Sequence, residues 1–339
     1  MIERTTSRRT RKIPAPVSAE VPSNGTVRFP SWLKRGIPSG GRKSVVESRL
    51  DRWKLHTVCK EARCPNRCEC YASGRATFLI MGETCTRNCA FCGINSDAPA
   101  QLDRSEPEHL SRAVKELGLR YVVITSVTRD DLPDGGATHF AAVVHALKRQ
   151  VPGIRVEVLV PDFRGNMDSV RTVIESGIDV FNHNIETVHR LYPSIRPAAQ
   201  YRRSLDVLAY AAKLKPDVPV KSGIMVGLGE TGTGVIDAMH DLLNAGCTIL
   251  TIGQYLQPSD NQVPVTEFIA PGVFDRYAAR AREMGFAAVV AGPFVRSSYR
   301  AEELYRKVKN CAENSQSADL KERRRAHGSA NNVSSFESI

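Results

Sequence analysis

Ala76-Thr-Phe-Leu-Ile-Met-Gly-Glu-Thr-Cys85-Thr-Arg-Asn-Cys89-Ala-Phe-Cys92 is the stretch from which the fold can be read. Its first six residues form a short apolar run, as expected of a strand covered on both faces, and the chain then enters a loop with three cysteines. Further runs rich in Val, Ile or Leu follow at 120–125, 155–160, 179–184, 219–226 and 248–254. Helices are expected between them, at about 105–117, 138–150, 167–176, 201–214 and 233–245. Ser105-Glu-Pro-Glu108 has the form of a capping box with proline in the first turn, and Thr138, Ser169 and Thr231 or Thr233 are comparable start signals. A helix at about 271–284 and an apolar run at 287–290 complete the series.

Six strands alternating with helices predict a parallel α/β fold with right-handed crossovers, as an open sheet or a partial (β/α)6 barrel. In such a fold chemistry gathers at the C-terminal strand ends. Polar clusters fall there repeatedly: Thr125-Ser126, Asp130-Asp131 with Gly135-Gly136, Asp162 with Arg164, Asn182-His183-Asn184 with Glu186, Lys221-Ser222 and Gln254-Tyr255. Six polar clusters in succession argue for one shared site.

Seven of the nine cysteines crowd into residues 59–92. Such clustering in a long chain suggests metal thiolates, whereas a disulfide framework would spread an even number over a short one. Cys85, Cys89 and Cys92 form C-x3-C-x2-C directly after a strand. Three thiolates on a tight loop suit three irons of a 4Fe–4S cube and leave the fourth iron open to a substrate. Zinc is the alternative, but it would want a fourth ligand. Upstream, Cys59, Cys64 and Cys70 form C-x4-C-x5-C with Cys68 inside the last interval, and here zinc competes more seriously with a second cluster. Cys247 and Cys311 have no partner pattern and read as a small buried hydrophobe and an incidental thiol.

The net charge of +11 is segregated: residues 1–54 hold thirteen Lys/Arg against four Asp/Glu, or +9, which leaves +2 for the rest. With Pro14-Ala-Pro16 and Pro38-Ser-Gly-Gly41, this segment reads as a flexible basic arm over 1–30. It is either a solvated tail or a device that steers an acidic protein partner; nucleic acid is a weaker reading. No apolar run reaches the 18 or so residues of a membrane span, and the start lacks the apolar stretch of a secretory signal, so a cytoplasmic protein is expected. The Arg-rich start has some of the composition of a transit peptide. Residues 31–75 are expected to form a cysteine-bearing extension, 76–310 the barrel and the segment after it, and 311–339 a disordered tail.

Several segments taken together are similar to one family. They are Leu55-His-Thr-Val-Cys59-Lys-Glu-Ala-Arg-Cys64-Pro-Asn66, the C-x3-C-x2-C loop, Thr125-Ser-Val127, Val160-Pro-Asp-Phe-Arg-Gly165, Val180-Phe-Asn-His-Asn-Ile-Glu186, Lys221-Ser-Gly-Ile-Met-Val-Gly-Leu-Gly-Glu230, Gly253-Gln-Tyr-Leu-Gln-Pro-Ser259 and Arg296-Ser-Ser-Tyr299. From about Trp32 to Glu303 they resemble, in order and spacing, the lipoyl synthases of the radical S-adenosylmethionine superfamily. Cys68, Thr128, His189, Ala198 and Arg300 depart from that family's usual residues.

The resemblance implies that Cys85, Cys89 and Cys92 hold a 4Fe–4S cluster which reduces S-adenosylmethionine to a 5′-deoxyadenosyl radical. Cys59, Cys64, Cys70 and Ser297 would hold an auxiliary 4Fe–4S cluster, whose hard serine oxygen suits a centre meant to be dismantled. Hydrogen would leave the sixth and eighth carbons of a protein-bound octanoyl chain, and sulfur from the auxiliary cluster would replace it. The implied partners are octanoylated lipoyl carrier domains, namely 2-oxoacid dehydrogenase E2 subunits and the glycine cleavage H protein, with an electron donor such as flavodoxin or ferredoxin. Asn182, Asn184, Glu186 and Lys221 are expected to touch S-adenosylmethionine or substrate, or else to brace residues that do. The alternatives are a diverged sulfur-inserting paralogue and a zinc and nucleic-acid binder.

Overall fold

A computed structural model describes residues 29–34, 36 and 43–311. The basic arm and the C-terminal tail expected from the sequence lie, apart from their inner edges, outside the described residues. The strands are β1 (His56–Thr57), β2 (Thr77–Ile80), β3 (Thr84–Cys85), β4 (Asn95–Ser96), β5 (Tyr121–Ser126), β6 (Arg155–Leu159), β7 (Val180–Asn182), β8 (Val220–Val226), β9 (Ile249–Gln254) and β10 (Ala288–Gly292). The helices are α1 (Lys43–Arg52), α2 (Val58–Glu61), α3 (Arg67–Ala72), α4 (Glu106–Glu116), α5 (Ala137–Gln150), α6 (Met167–Glu175), α7 (Tyr192–Ile195), α8 (Tyr201–Leu214), α9 (Gly232–Asn244) and α10 (Pro271–Met284). Residues 301–311 are also helical.

The main sheet runs β1-β2-β5-β6-β7-β8-β9-β10, parallel throughout except for the antiparallel β1–β2 pair. The six strands expected from the sequence are its consecutive centre, and the apolar run near 287–290 supplies a seventh parallel strand, β10. Register fixes which residues share a face. Thr77 lies beside Val123, Leu79 beside Thr125, Thr125 beside Leu159, Gly223 beside Thr251, and Met225 beside Gly253. Every one of these residues lines a single cavity. Same-face residues from strands at both ends of a sheet can meet in one space only when the sheet curls, so this is a partial barrel. Its outer face is covered by the apolar stripes of α4, α5, α6, α8, α9 and α10, as in Leu110, Phe140, Val143, Val173, Leu208, Met239 and Phe274, all essentially buried.

One layer deeper on the same inner face, Tyr121, Glu157, Asn182 and Lys221 make a polar floor. Glu157 accepts from Lys221 Nζ at 2.7 Å, Asn182 Nδ2 at 3.0 Å and the Tyr121 hydroxyl at 2.7 Å. Beneath and beside it, Val180, Ile249 and Ala288 pack on Leu304 and Tyr305 of the last helix, and the Tyr121 and Tyr305 rings lie 5.9 Å apart. The segment after β10 therefore closes the lower end of the barrel.

The helix starts differ in detail from expectation. Ser105 forms no capping box: its N–H and hydroxyl both donate to Asp103 Oδ1, at 2.8 and 2.6 Å. α6 is capped by Asn166, which accepts from Asp168 and Ser169 N–H, so Ser169 is inside the helix. Asp134 accepts from Thr138 N–H at 2.8 Å and serves the start of α5, whereas Thr231 does cap α9.

Candidate active site

The cysteine loop after β2 is folded back on itself and stitched to the next strand end. β3 pairs with β4, setting Cys85 beside Ser96, and Cys92 N–H donates to the Cys89 carbonyl at 3.0 Å. Thr86 donates through both its N–H and its hydroxyl to the Thr128 carbonyl, each at 3.0 Å, while the same hydroxyl accepts from Asp130 N–H. The Arg87 and Thr128 N–H groups reach the Cys85 sulfur at 3.4 and 3.3 Å. Thr128 thus acts through its backbone, and the family departure at its side chain does not disturb these contacts.

Arg87, between Cys85 and Cys89, is buried and anchors the loop from beneath. Its guanidinium grips Asp130 through Nε and Nη2 at 2.6 and 2.9 Å and reaches Asp162 at 2.7 Å. Burial alone would push the Asp162 carboxyl up; the hydrogen bond and charge of Arg87 outweigh it and hold the group at about 2.

The upstream triplet lies on α2, the following turn and α3. Thr57 caps α2, accepting from Lys60 N–H at 3.3 Å, and its hydroxyl shares a 2.6 Å hydrogen bond with Tyr71 on α3. Cys64 N–H then donates to the Cys59 carbonyl at 3.1 Å, which wraps the turn. This segment is tied to chain more than 200 residues away: Asn66 Nδ2 donates to the Phe294 carbonyl at 2.6 Å, and Thr77 Oγ1 to Ser298 Oγ at 2.8 Å. Gly253 permits the same approach from the barrel side, because a Cβ there would collide with the Val295 carbonyl. Ser297 is carried to the cysteines by these contacts.

All six cysteines of the two triplets, together with Ser297, line one cavity of about 950 Å³. Cys68, on α3, lies outside its lining. Burial pushes the Cys59 thiol up to about 12, with Cys64 adding to it, and the Cys92 thiol also up to about 12 against an opposing N–H from Ile94. Burial raises Cys89 too, opposed by the Arg196 guanidinium. Protonated thiols of this kind become ligands by giving up their protons to a cationic centre. Among the described residues no three cysteine thiols lie mutually within 4.8 Å. Soft thiolates in triplets of this kind suit an iron–sulfur cube.

At the opposite wall, beyond the end of β7, four groups face the cavity. His183 Nδ1 lies 2.8 Å from the Val160 carbonyl, which can only accept, so Nδ1 carries the proton. Burial lowers this imidazole to about 4, leaving it neutral with a bare Nε2. Asn184 Nδ2 donates to Glu186 Oε1 at 3.0 Å. Glu186 holds a left-handed backbone (φ 64°), fixed by its N–H to Gly223 and by the Met225 N–H to its carbonyl. Arg196 donates through Nη1 to the Asn184 and Ile185 carbonyls at 3.1 and 3.2 Å. His183 Nε2, Asn184 Oδ1 and Arg196 Nε are buried and find no hydrogen-bond partner among the described residues. Buried polar atoms left open in this way mark a cradle for a polar ligand.

Of the four residues expected to touch ligand or to brace residues that do, two line the cavity and two lie beneath it. Asn182 and Lys221 do not line the cavity; they belong to the floor around Glu157. Lys221 is the second residue of β8, five residues before Val226, or roughly 16 Å below the strand's C-terminal end. Asn184 and Glu186 do line it. Arg87 and Arg196 were missed as site residues, and His183 was named only as part of a polar strand end. Cys247 is buried in the main core, as expected, and Cys311 is exposed.

Comparison with known proteins adds the following. Residues 79–242 match the family model of the Radical SAM superfamily, and residues 12–64 match that of the N-terminal domain of lipoyl synthase, which reaches into the basic segment. The chain is 52% identical to a lipoyl synthase of Rubrobacter xylanophilus over 81% of its length and 85% of the relative's. It is 52% identical to that of Caldicellulosiruptor bescii (81% and 95%) and 48% identical to that of Thermus thermophilus (81% and 86%). Among solved structures, HydG, a maturase of the FeFe-hydrogenase, superposes with a TM-score of 0.51 at 16% identity over 73% of this chain and 56% of that one, which shows a shared fold.

Proposed function

This chain belongs to the lipoyl synthase family, and from that premise we propose that it inserts two sulfur atoms, at the sixth and eighth carbons, into an octanoyl group borne on a lysine of a lipoyl carrier domain. The observation that carries the reading is the shared cavity: two cysteine triplets and Ser297, drawn from segments more than 200 residues apart, face one space. Cys85, Cys89 and Cys92 would hold one 4Fe–4S cluster, and Cys59, Cys64, Cys70 and Ser297 the auxiliary one. When bound, the clusters and S-adenosylmethionine supply the radical that removes hydrogen from unactivated carbon and the sulfur that takes its place.

The chain's own residues bind, orient and exclude water. Arg87, locked to Asp130 and Asp162, sets the cysteine loop against the ends of β5 and β6. Bare Nε2 of His183, Oδ1 of Asn184 and Nε of Arg196 offer two acceptors and a donor that suit the polar amino-acid and ribose groups of S-adenosylmethionine. The floor of Tyr121, Glu157, Asn182 and Lys221, with Tyr305 below, packs the lower part of the barrel. No side chain is required to move a proton. The carriers expected are the 2-oxoacid dehydrogenase E2 subunits and the glycine cleavage H protein, with a flavodoxin- or ferredoxin-like electron donor.

The test is anaerobic purification followed by metal analysis and turnover. About eight irons and eight sulfides per chain, together with a carrier peptide whose mass rises by two sulfur atoms, are expected. Zinc without sulfide, or an octanoyl group returned unchanged, refutes the proposal.

A further inference from the structure

Away from the cavity lining, three side chains from three elements converge: His56 of β1, Glu61 at the end of α2, and Glu83 in the turn between β2 and β3. One ligand atom from each lies within 4.8 Å of the other two. His56 Nδ1 is 3.6 Å from Glu61 Oε1 and 3.5 Å from Glu83 Oε2. An imidazole N–H bound to a carboxylate would sit at about 2.8 Å, so these are not hydrogen bonds. They are close to the spacing of two ligands on one ion, since bonds of about 2.1 Å at tetrahedral angles separate neighbours by about 3.4 Å.

A second observation points the same way. Glu61 Oε1, the atom that faces His56, is buried and has no hydrogen-bond donor among the described residues. Buried carboxylate oxygens are normally satisfied, and this one is left facing His56 Nδ1 at 3.6 Å. Exposure rises across the group, from 17% for the Glu61 side chain through 35% for His56 to 56% for Glu83, so the centre opens to solvent on the Glu83 side.

We propose that His56, Glu61 and Glu83 form a divalent transition-metal site separate from the two cysteine triplets. One imidazole with two carboxylates suits Mn(II), Fe(II) or Zn(II), whereas Mg(II) and Ca(II) prefer oxygen alone. An ion held there joins α2, which carries Cys59, to the turn that leads into Cys85. Neither the cluster assignments nor the sulfur-insertion reading is needed for this site.

The test uses the anaerobically purified, cluster-loaded full chain and Mn(II) as the probe, a harder ion than thiolates select. Loss of the free Mn(II) paramagnetic resonance signal reports binding. Saturable uptake near one ion per chain is expected, at least tenfold weaker in His56→Gln and in Glu83→Gln. Bound Mn(II) in the unmodified chain should show hyperfine coupling to one nitrogen, absent in His56→Gln and retained in Glu83→Gln at saturating metal. Both substituted side chains are a third or more exposed, and an unchanged cluster absorbance confirms that each variant is folded. Should a variant fail that check, the nitrogen coupling in the unmodified chain decides alone. No saturable uptake, no nitrogen coupling, or equal affinity in folded variants overturns the proposal.

Discussion

Replacing Arg87 with Met removes the guanidinium from a space enclosed by Asp130 and Asp162 while keeping most of the volume. Asp162 is fully buried, and its carboxyl is held at about 2 against an ordinary 3.8. At roughly 1.4 kcal/mol per pH unit, that difference corresponds to about 2–3 kcal/mol of folded-state stabilisation. Because the folded value is depressed, the stabilisation is complete above the ordinary carboxylate range and is lost only as pH falls through about 2. At pH 7.5 the variant therefore forfeits the larger part of it, because Arg87 supplies the largest of the favourable contacts to Asp162. Arg203 Nη1, 3.3 Å from Asp162, remains as a partial substitute, so the loss should sit at the lower end of the 3–5 kcal/mol typical of a broken buried pair. About 3 kcal/mol lowers the melting temperature by roughly 6–12 °C in a domain of this size. The assay is anaerobic thermal unfolding followed by circular dichroism, beside iron analysis after reconstitution. Arg87→Met should keep about four irons, those of the upstream triplet, where the unmodified chain holds about eight. Adding Asp162→Asn should recover part of the stability, since an amide is less costly to bury alone than a carboxylate. An unchanged melting temperature and full iron content in Arg87→Met would refute the anchoring role.

Cys89→Ala should abolish reductive cleavage of S-adenosylmethionine, whereas Cys64→Ala should retain uncoupled cleavage and form no sulfur-containing product, both read by chromatography of 5′-deoxyadenosine and mass spectrometry of the carrier. Cys68→Gly should keep both clusters and activity, because that thiol lies outside the cavity lining; loss of half the iron would show it to be a ligand. Gly253→Ala should drive β9 from the Val295 carbonyl and displace Ser297, seen as loss of auxiliary-cluster iron with the first cluster's resonance signal intact.

Most of the barrel was legible because buried parallel strands write themselves as short apolar runs, and the six runs are the centre of the sheet. β1, β3 and β4 were not, since two residues carry no periodicity. The helix at 301–311 went unseen because its inward residues are few, chiefly Leu304 and Tyr305, amid many charges. At the site, cysteine spacing identified the cavity-lining thiols, but polarity alone could not separate Asn184 and Glu186 from Asn182 and Lys221. The difference lies in height along the strands: the floor and the cradle share one face of the sheet, and only the register tells them apart. Arg87 and Arg196 were missed because a lone arginine in a loop ordinarily signals a solvated charge. Their burial is set by partners 43 or more residues away in one case and by carbonyls of the β7 end in the other.

The central claim is that the upstream triplet serves to hold the sulfur that is inserted. The direct measurement is a single turnover by enzyme whose clusters have been rebuilt anaerobically with sulfide enriched in a heavy sulfur isotope, acting on an octanoylated carrier domain in medium containing only light sulfide. Mass spectrometry of the product should show two heavy sulfur atoms in one chain, and Cys64→Ala under the same conditions should give none. A product carrying light sulfur, or heavy sulfur inserted equally well by Cys64→Ala, would contradict the account.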